Sequence, residues 1–235
     1  MDPDADLASV AALIADRNRA QMLLTLLGGV PQSGSALAEA AGISRSLASA
    51  HLKKLVTGGF VRMEPRGRQR LYSLASAAVA DTLEILILLA PASPARSLSQ
   101  NGRAKNLRWA RMCYDHLAGA VGVAITGALT GHALISEQDG VFVLGTRGAD
   151  SFAELGIDIN RLEQRTRPLL RPCMDWSERR YHLAGSLGAA LATTMKDRRW
   201  ITTREASRIV TVTPAGVSGL RDWLDVDLAS LHDAA

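Results

Sequence analysis

Two cysteines and two histidines are the residues of the second half of the chain best equipped for chemistry. Cys113 and His116 stand three apart, a spacing that places both on one side of a helical turn. Cys173 and His182 occupy the corresponding region of a second, similar stretch. Two thiolates and two imidazoles make a tetrahedral Cys2His2 set suited to zinc or a related soft-ligand metal. A single accessible thiol of lowered pKa would instead serve redox sensing. Both pairs also fit a purely structural role as small buried hydrophobes and packing histidines, because each histidine opens the same four residues, His-Leu-Ala-Gly. Catalysis finds no support. No Gly-rich phosphate loop follows a strand, and HExxH and Gly-x-Ser-x-Gly are both absent. Asp115, Asp175 and Glu178 read as surface carboxylates beside Arg179 and Arg180.

A second group of residues, near the N-terminus, is suited to phosphates and base edges. Arg45, Ser46, Ser49, His51 and Lys53 fall on one face of a predicted helix whose other face carries Leu47, Ala48, Leu52, Leu55 and Val56. Arg66, Arg68 and Arg70 follow in a basic hairpin. Between Arg45 and Tyr72 there are seven lysines and arginines and one acid, Glu64, an excess of the kind that phosphate neutralisation requires.

The elements that must position these groups follow from caps, turns and periodicity. A helix is expected over residues 7–27, with a bend at Asp16–Arg19 where the apolar stripe of Leu7, Val10, Ala11 and Ile14 is interrupted. A short helix over Ser35–Ala41 stops at Gly42, and Ser44 caps a second helix ending at Gly58–Gly59. Phe60–Met63 and Gln69–Ser73 alternate as two strands around Pro65–Arg68. This is a winged helix-turn-helix. Ala77–Leu89 is a helix apolar on nearly every side, which predicts a two-fold mate and a homodimer on a pseudo-palindromic double-stranded DNA operator.

Residues 91–101 are rich in Pro and Ser and read as a linker between a DNA-binding and dimerisation domain at 1–90 and a C-terminal domain at 102–235. Arg96, Arg103, Lys105, Arg108 and Arg111 form a basic run without an acid, either a further DNA contact or a solvated face. The C-terminal domain holds an internal repeat, with units at about 102–159 and 167–228. His116–Ile125 is echoed by His182–Leu191, and Val141–Gly148 by Ile209–Gly216. Hairpins are expected where 132–135 meets 141–144 and where 200–203 meets 208–212, with a helix over Asp158–Leu170 between the units. The fold class is therefore mainly α with short β-hairpin wings, the C-terminal part being two degenerate winged-helix-like repeats. The helices at 117–129 and 183–195, with Trp109 and Trp176, could line a small-molecule pocket.

Composition sets outer limits. A chain of 235 residues that is 47% hydrophobic can build two small cores. The N-terminus is acidic rather than signal-like, and the longest apolar run is far too short for a bilayer. Two cysteines do not make a disulfide framework. A reduced, cytoplasmic protein with no membrane partner is the expectation.

Residues 7–89 resemble the ArsR/SmtB family of bacterial dimeric repressors. The resemblance rests on ADRNRAQMLLTLL at 15–27, LAEAAGISRSLASAHLKKLVTGGFV at 37–61 and RGRQRLYSL at 66–74. It is sharpest in the pattern ISxSxxSxHLKxL, which falls on Ile43–Leu55. It implies that Arg45, Ser46, Ser49 and His51 face the major groove and that Arg66, Arg68 and Arg70 rest on phosphates. Ala50 stands where many relatives carry a larger polar side chain. The cysteine pair that the family's metal sensors place on the first helix of the motif is missing from Ser35–Ala41, and Asp81 and Glu84 have no histidine beside them. The longer second half, with CYDHLAG at 113–119 and DWSERRYHLAG at 175–185, looks like the extended ArsR-like regulators. That implies a repressor whose inducer the motif does not reveal, and the residues leave a small molecule, a metal or a redox signal open.

Overall fold

Helix caps set the first half of the chain. The computed structural model describes residues 6–91, 98–204 and 206–233. It divides into two compact units, one of Met1–Leu86 with Glu205–Arg208, the other of Ile87–Arg204 with Ile209–Ala235. The boundary thus differs from the expected 1–90 and 102–235, and the first unit takes back a short piece of late chain.

In the first unit, α1 (Leu7–Ile14) and α2 (Arg17–Leu26) meet at the expected bend. Asp16 caps α2 by accepting from the backbone N–H groups of Asn18 and Arg19 at 3.0 Å. Arg19 turns back, and its guanidinium donates to the Leu13 and Ala12 carbonyls at 2.7 and 2.6 Å. The end of α1 is closed by that side chain. α1 buries none of its residues, and Leu7 and Val10 are 74% and 42% exposed, so its apolar stripe is open.

Then come β1 (Gln32–Ser33), α3 (Gly34–Ala41), α4 (Arg45–Thr57), β2 (Val61–Arg66), β3 (Gln69–Leu74) and α5 (Ala77–Leu89). Ser33 and Ser44 cap α3 and α4, and Gly42 ends α3 in the left-handed region at φ 68°. The wing strands run further than expected. Arg66 pairs with Gln69, so the turn is only Gly67–Arg68. β1 completes a three-stranded sheet in the order β1-β3-β2. Met22, Leu23, Leu26, Leu37, Leu52 and Leu55 form the core. On α5, Ile85, Leu86 and Leu89 are exposed, whereas Glu84 is buried and ion-paired with Arg208.

The second unit contains α6 (Leu98–Trp109), β4 (Arg111–Cys113), β5 (His116–Ala118), α7 (Ala120–Gly131), β6 (Ile135–Gln138), β7 (Val141–Leu144), α8 (Gly148–Glu154) and α9 (Ile159–Glu163). It continues with β8 (Arg171–Met174), β9 (Tyr181–Ala184), α10 (Gly185–Asp197), β10 (Ile201–Thr203), β11 (Val210–Val212), α11 (Pro214–Leu224) and α12 (Leu228–Asp233). The order hairpin, helix, hairpin, helix therefore occurs twice.

Several expectations are corrected here. The His-Leu-Ala-Gly stretches do not begin helices: they are the second strands of hairpins, and the helices start only after Gly119 and Ala184. Gly119 and Gly185 sit at φ 83° and 87°, and a Cβ on either would lie 2.6 Å from a backbone carbonyl oxygen, so only glycine fits the strand-to-helix corner. The helix expected over 158–170 shrinks to Ile159–Glu163. The strand expected from residue 132 starts at Ile135, because Ala133 takes φ 55°. Leu98–Asn101, read as linker, is helical, while residues 92–97, with Arg96, lie outside the described residues. The core of this unit centres on Val121, Leu129, Phe152, Leu187, Met195 and Leu220. Among the described residues no helix is long and apolar enough to cross a membrane.

Candidate nucleic-acid interface and buried Cys/His cluster

α4 is thirteen residues long and presents two faces of opposite character. Arg45, Ser46, Ser49 and Lys53 are exposed, as are Arg66, Arg68 and Arg70 on the wing. Arg45 and Ser49 share an open groove with Arg68 and Arg70. Such a concave, cationic surface beside an exposed helix matches the helix-in-major-groove, wing-on-phosphate arrangement in chemistry and scale. Arg62 is engaged within the wing, 3.3 Å from Glu64 and donating to the Ser73 hydroxyl at 2.9 Å.

His51 departs from expectation. It is buried at 8% exposure with Nδ1 3.7 Å from Asp16, so it belongs to the inward stripe with Ala48, Leu52 and Leu55. Leu47 and Val56, expected inside, are 45% and 38% exposed. The helix is rotated from the sequence reading: the imidazole sits inward, near Asp16, where a leucine was expected.

The second unit brings Cys113, His116, Cys173 and His182 together, all four buried, with their ligand atoms within 4.8 Å of one another. The four residues singled out from the sequence lie together, but their support is not helical. Cys113 faces His116 across the β4–β5 pairing, and Cys173 faces His182 across β8–β9. Each hairpin supplies one sulfur and one imidazole. The sulfurs are 4.0 Å apart, neither in a disulfide, and the two Nε2 atoms are 3.1 Å apart. Close approach of each following helix allows this. A Cβ on Gly122 would lie 2.6 Å from the Leu117 carbonyl oxygen and 3.8 Å from the His182 Cβ. One on Gly188 would meet the Leu183 carbonyl oxygen at 2.5 Å and the His116 Cβ at 3.4 Å.

A carboxylate lies behind each imidazole. His116 Nδ1 is 3.2 Å from Asp115 Oδ1, and His182 Nδ1 is 3.3 Å from Asp175 Oδ2. Arg167 pairs with Asp115, and Arg111 with Asp175 at 3.0 Å. The reading of Asp115 and Asp175 as surface partners of Arg179 and Arg180 is therefore corrected. Asp175 has no exposed side-chain surface, nor does Arg111, which is not a solvated or DNA-facing residue. Trp176 covers the Arg111 guanidinium at 4.4 Å. Burial weighs against charge on both rings. For His116 the Cys113 sulfur and Asp115, and for His182 Asp175 and the Cys113 sulfur, nevertheless hold the pKa above its ordinary value. Burial raises Asp115, but His116 and Arg167 bring it down to about 2. Against the same desolvation, His182 and Arg111 hold Asp175 well below the usual carboxylate range.

The sequence reading missed Arg111, Asp115, Arg167 and Asp175 as members of this cluster. A signal for three of them was present: Arg111-x-Cys113-x-Asp115 recurs as Arg171-x-Cys173-x-Asp175. The space between α7 and α10 is small. Its cavity of about 10 Å³, lined by Leu117, Ile125, Leu183 and Leu191 among others, holds no more than a water-sized body.

Residues 14–64 match a family model described as a helix-turn-helix domain. The chain is 35% identical over 228 residues to the HTH-type transcriptional regulator YdfF of Bacillus subtilis (strain 168), covering 97% of this chain and 100% of that protein. Similar solved structures include a homodimeric winged helix-turn-helix DNA-binding domain from Mycobacterium bovis, described as a possible ArsR-family regulator. It is 28% identical over 38% of this chain and 89% of that one, with a TM-score of 0.33. The cadmium sensor CMTR from Mycobacterium tuberculosis is 34% identical over 38% of this chain and 93% of its own, with a TM-score of 0.32. With a relative matched from end to end and the motif's exposed basic face in place, the chain belongs to the helix-turn-helix transcriptional regulators.

Proposed function

We propose that this regulator is a homodimeric cytoplasmic repressor of the ArsR type that sits on a pseudo-palindromic operator and leaves it when the second unit receives a signal. The observation that carries the reading is the groove shared by Arg45, Ser49, Arg68 and Arg70, with Ser46 and Lys53 exposed on the same helix. In this reading Arg45, Ser46 and Ser49 meet base edges, while Lys53, Arg66, Arg68 and Arg70 neutralise phosphates. His51 lies behind that face, buried with the inward stripe of α4 and 3.7 Å from Asp16.

Dimerisation is supported by apolar side chains left bare on α5, with Ile85 and Leu89 at 59% and 77% exposure. Release follows from population shift: a signal that favours one spacing of two recognition helices over another alters the fit to paired half-sites. A small molecule held between α7 and α10 requires that space to open, because its cavity is about 10 Å³ against the few hundred Å³ of an ordinary ligand pocket.

The test is footprinting on the DNA upstream of the protein's own gene, followed by titrations of Arg45→Ala and Arg68→Ala across salt. Arg45→Ala is expected to lose about 1–3 kcal/mol on the operator and little on random DNA. Arg68→Ala is expected to weaken both and to lower the salt slope by about 1. Equal losses on both DNAs for both variants would sink this division of roles.

A further inference from the structure

We infer that the two hairpins of the second unit enclose a closed, four-coordinate site for a zinc-type divalent ion, bound by Cys113 Sγ, His116 Nε2, Cys173 Sγ and His182 Nε2.

The first argument is convergence. Cys113, His116, Cys173 and His182 put one donor atom each into a single buried space. The two Nε2 atoms face each other across 3.1 Å and the two sulfurs across 4.0 Å. Asp115 only accepts hydrogen bonds, so a neutral His116 keeps its hydrogen on Nδ1, facing that carboxylate, and offers its Nε2 lone pair to the cluster. A hydrogen shared between the rings satisfies one pair of nitrogens, whereas a dication takes all four donors at once.

The second argument is size. In a tetrahedron with bonds of about 2.3 Å to sulfur and 2.0–2.1 Å to nitrogen, the sulfurs lie about 3.8 Å apart and the nitrogens about 3.4 Å apart. The structure has 4.0 and 3.1 Å, with all four donors within 4.8 Å of one another, so they draw together by no more than about 1 Å on binding. A disulfide would need the sulfurs at about 2.0 Å, roughly half their separation here.

The third argument is support. Carboxylates behind ligating imidazoles, themselves anchored by Arg167 and Arg111, fix the tautomer and raise the donor strength of the rings. Binding replaces two S–H bonds with two S–metal bonds, and both protons go to solvent. The dication is then balanced by two thiolates. Four protein donors leave no open position, so the site is one that holds structure rather than one that performs catalysis. This inference stands apart from the DNA-binding reading, because metal uptake is measured with no DNA present.

The experiment uses the full chain, reduced and freed of metal by a chelator, with Co2+ as the probe. Expected are one equivalent per chain, intense visible bands of tetrahedral cobalt with a thiolate charge-transfer band, and displacement by Zn2+. Cys113→Ser and Cys173→Ser should each abolish the charge-transfer intensity or halve it. Asp115→Asn keeps all four donors and should raise the dissociation constant about 10–100-fold. A weak octahedral spectrum would overturn the inference, as would undiminished binding by Cys173→Ser or no uptake by the reduced native chain. An Asp115→Asn affinity equal to native would remove the supporting role of the carboxylates.

Discussion

Asp175→Asn separates two accounts of how the second unit tolerates buried charge. Arg111 and Asp175 are both without accessible side-chain surface and pair at 3.0 Å. Asparagine keeps the shape and one oxygen but removes the anion. Arg111 cannot shed its proton. Its charge is left with the Leu107 carbonyl at 3.2 Å, the Ser177 hydroxyl at 3.1 Å and the face of Trp176. Stranding one member of a buried pair costs about 3–5 kcal/mol. The opposite change, Arg111→Met, strands the carboxylate, but Asp175 still accepts from the N–H groups of Gly119 at 2.7 Å, Ser177 at 2.9 Å and Glu178 at 3.2 Å. The Ser177 hydroxyl adds a donor at 2.7 Å. An anion so well supplied should lose only about 1–3 kcal/mol. The four tryptophans, at 109, 176, 200 and 223, all lie in the second unit, so their emission in a urea titration reports that unit alone. With a slope of about 2 kcal/mol per molar, the midpoint should fall by about 1.5–2.5 M for Asp175→Asn and by about 0.5–1.5 M for Arg111→Met. Equal shifts, or a larger one for Arg111→Met, would refute the reasoning. The pH dependence has a definite sign. The folded pKa of Asp175 lies below its ordinary 3.8, so its contribution is present above that value and is lost as pH falls through the lower one. Acid unfolding of the native unit below about pH 4 should therefore be steeper than that of Asp175→Asn.

Two further outcomes are expected. Gly122→Ala and Gly188→Ala place a Cβ 2.6 and 2.5 Å from the carbonyl oxygens of Leu117 and Leu183, forcing each helix off its own hairpin. Each should cost about 1–3 kcal/mol in thermal unfolding, whereas Gly131→Ala, with nothing within 4 Å, should cost nothing. Replacing both Ile85 and Leu89 on α5 with Glu should convert a sedimenting dimer into a monomer without unfolding either unit, because both residues are exposed. A native chain that sediments as a monomer at the same concentration would remove the dimer from the proposal.

The helix-turn-helix was legible because its punctuation is local. Gly42, Ser44 and Gly58 each act within a few residues, and the structure uses Gly42 and Ser44 in the expected roles. What failed there was a decision between chemically plausible inward faces. Apolarity favoured Leu47, whereas the fold chose His51, whose carboxylate partner lies on another helix and leaves no trace in local sequence. The second unit was harder for a geometrical reason. A three-residue step such as Cys113 to His116 fits one turn of helix and also the two ends of a two-residue hairpin, and strands of three or four residues are too short for alternation to decide. Type and repetition singled out four residues that do cluster, but the wrong element was put beneath them. Arg111 and Asp175 were hidden by their charge, since buried ionic residues are rarely expected without a visible partner.

The pairing of Glu84 with Arg208 bears on any attempt to study the DNA reader by itself. A stop or a protease cut between residues 91 and 101 would yield a piece that keeps the carboxylate of α5 and discards its guanidinium, which arrives more than a hundred residues later in the chain. Such an excised reader loses the guanidinium that pairs with Glu84, so a change in its behaviour follows from the cut and not from an effector. Glu84→Gln, made before the excision, is the substitution that would make the piece a fair substitute for the intact protein.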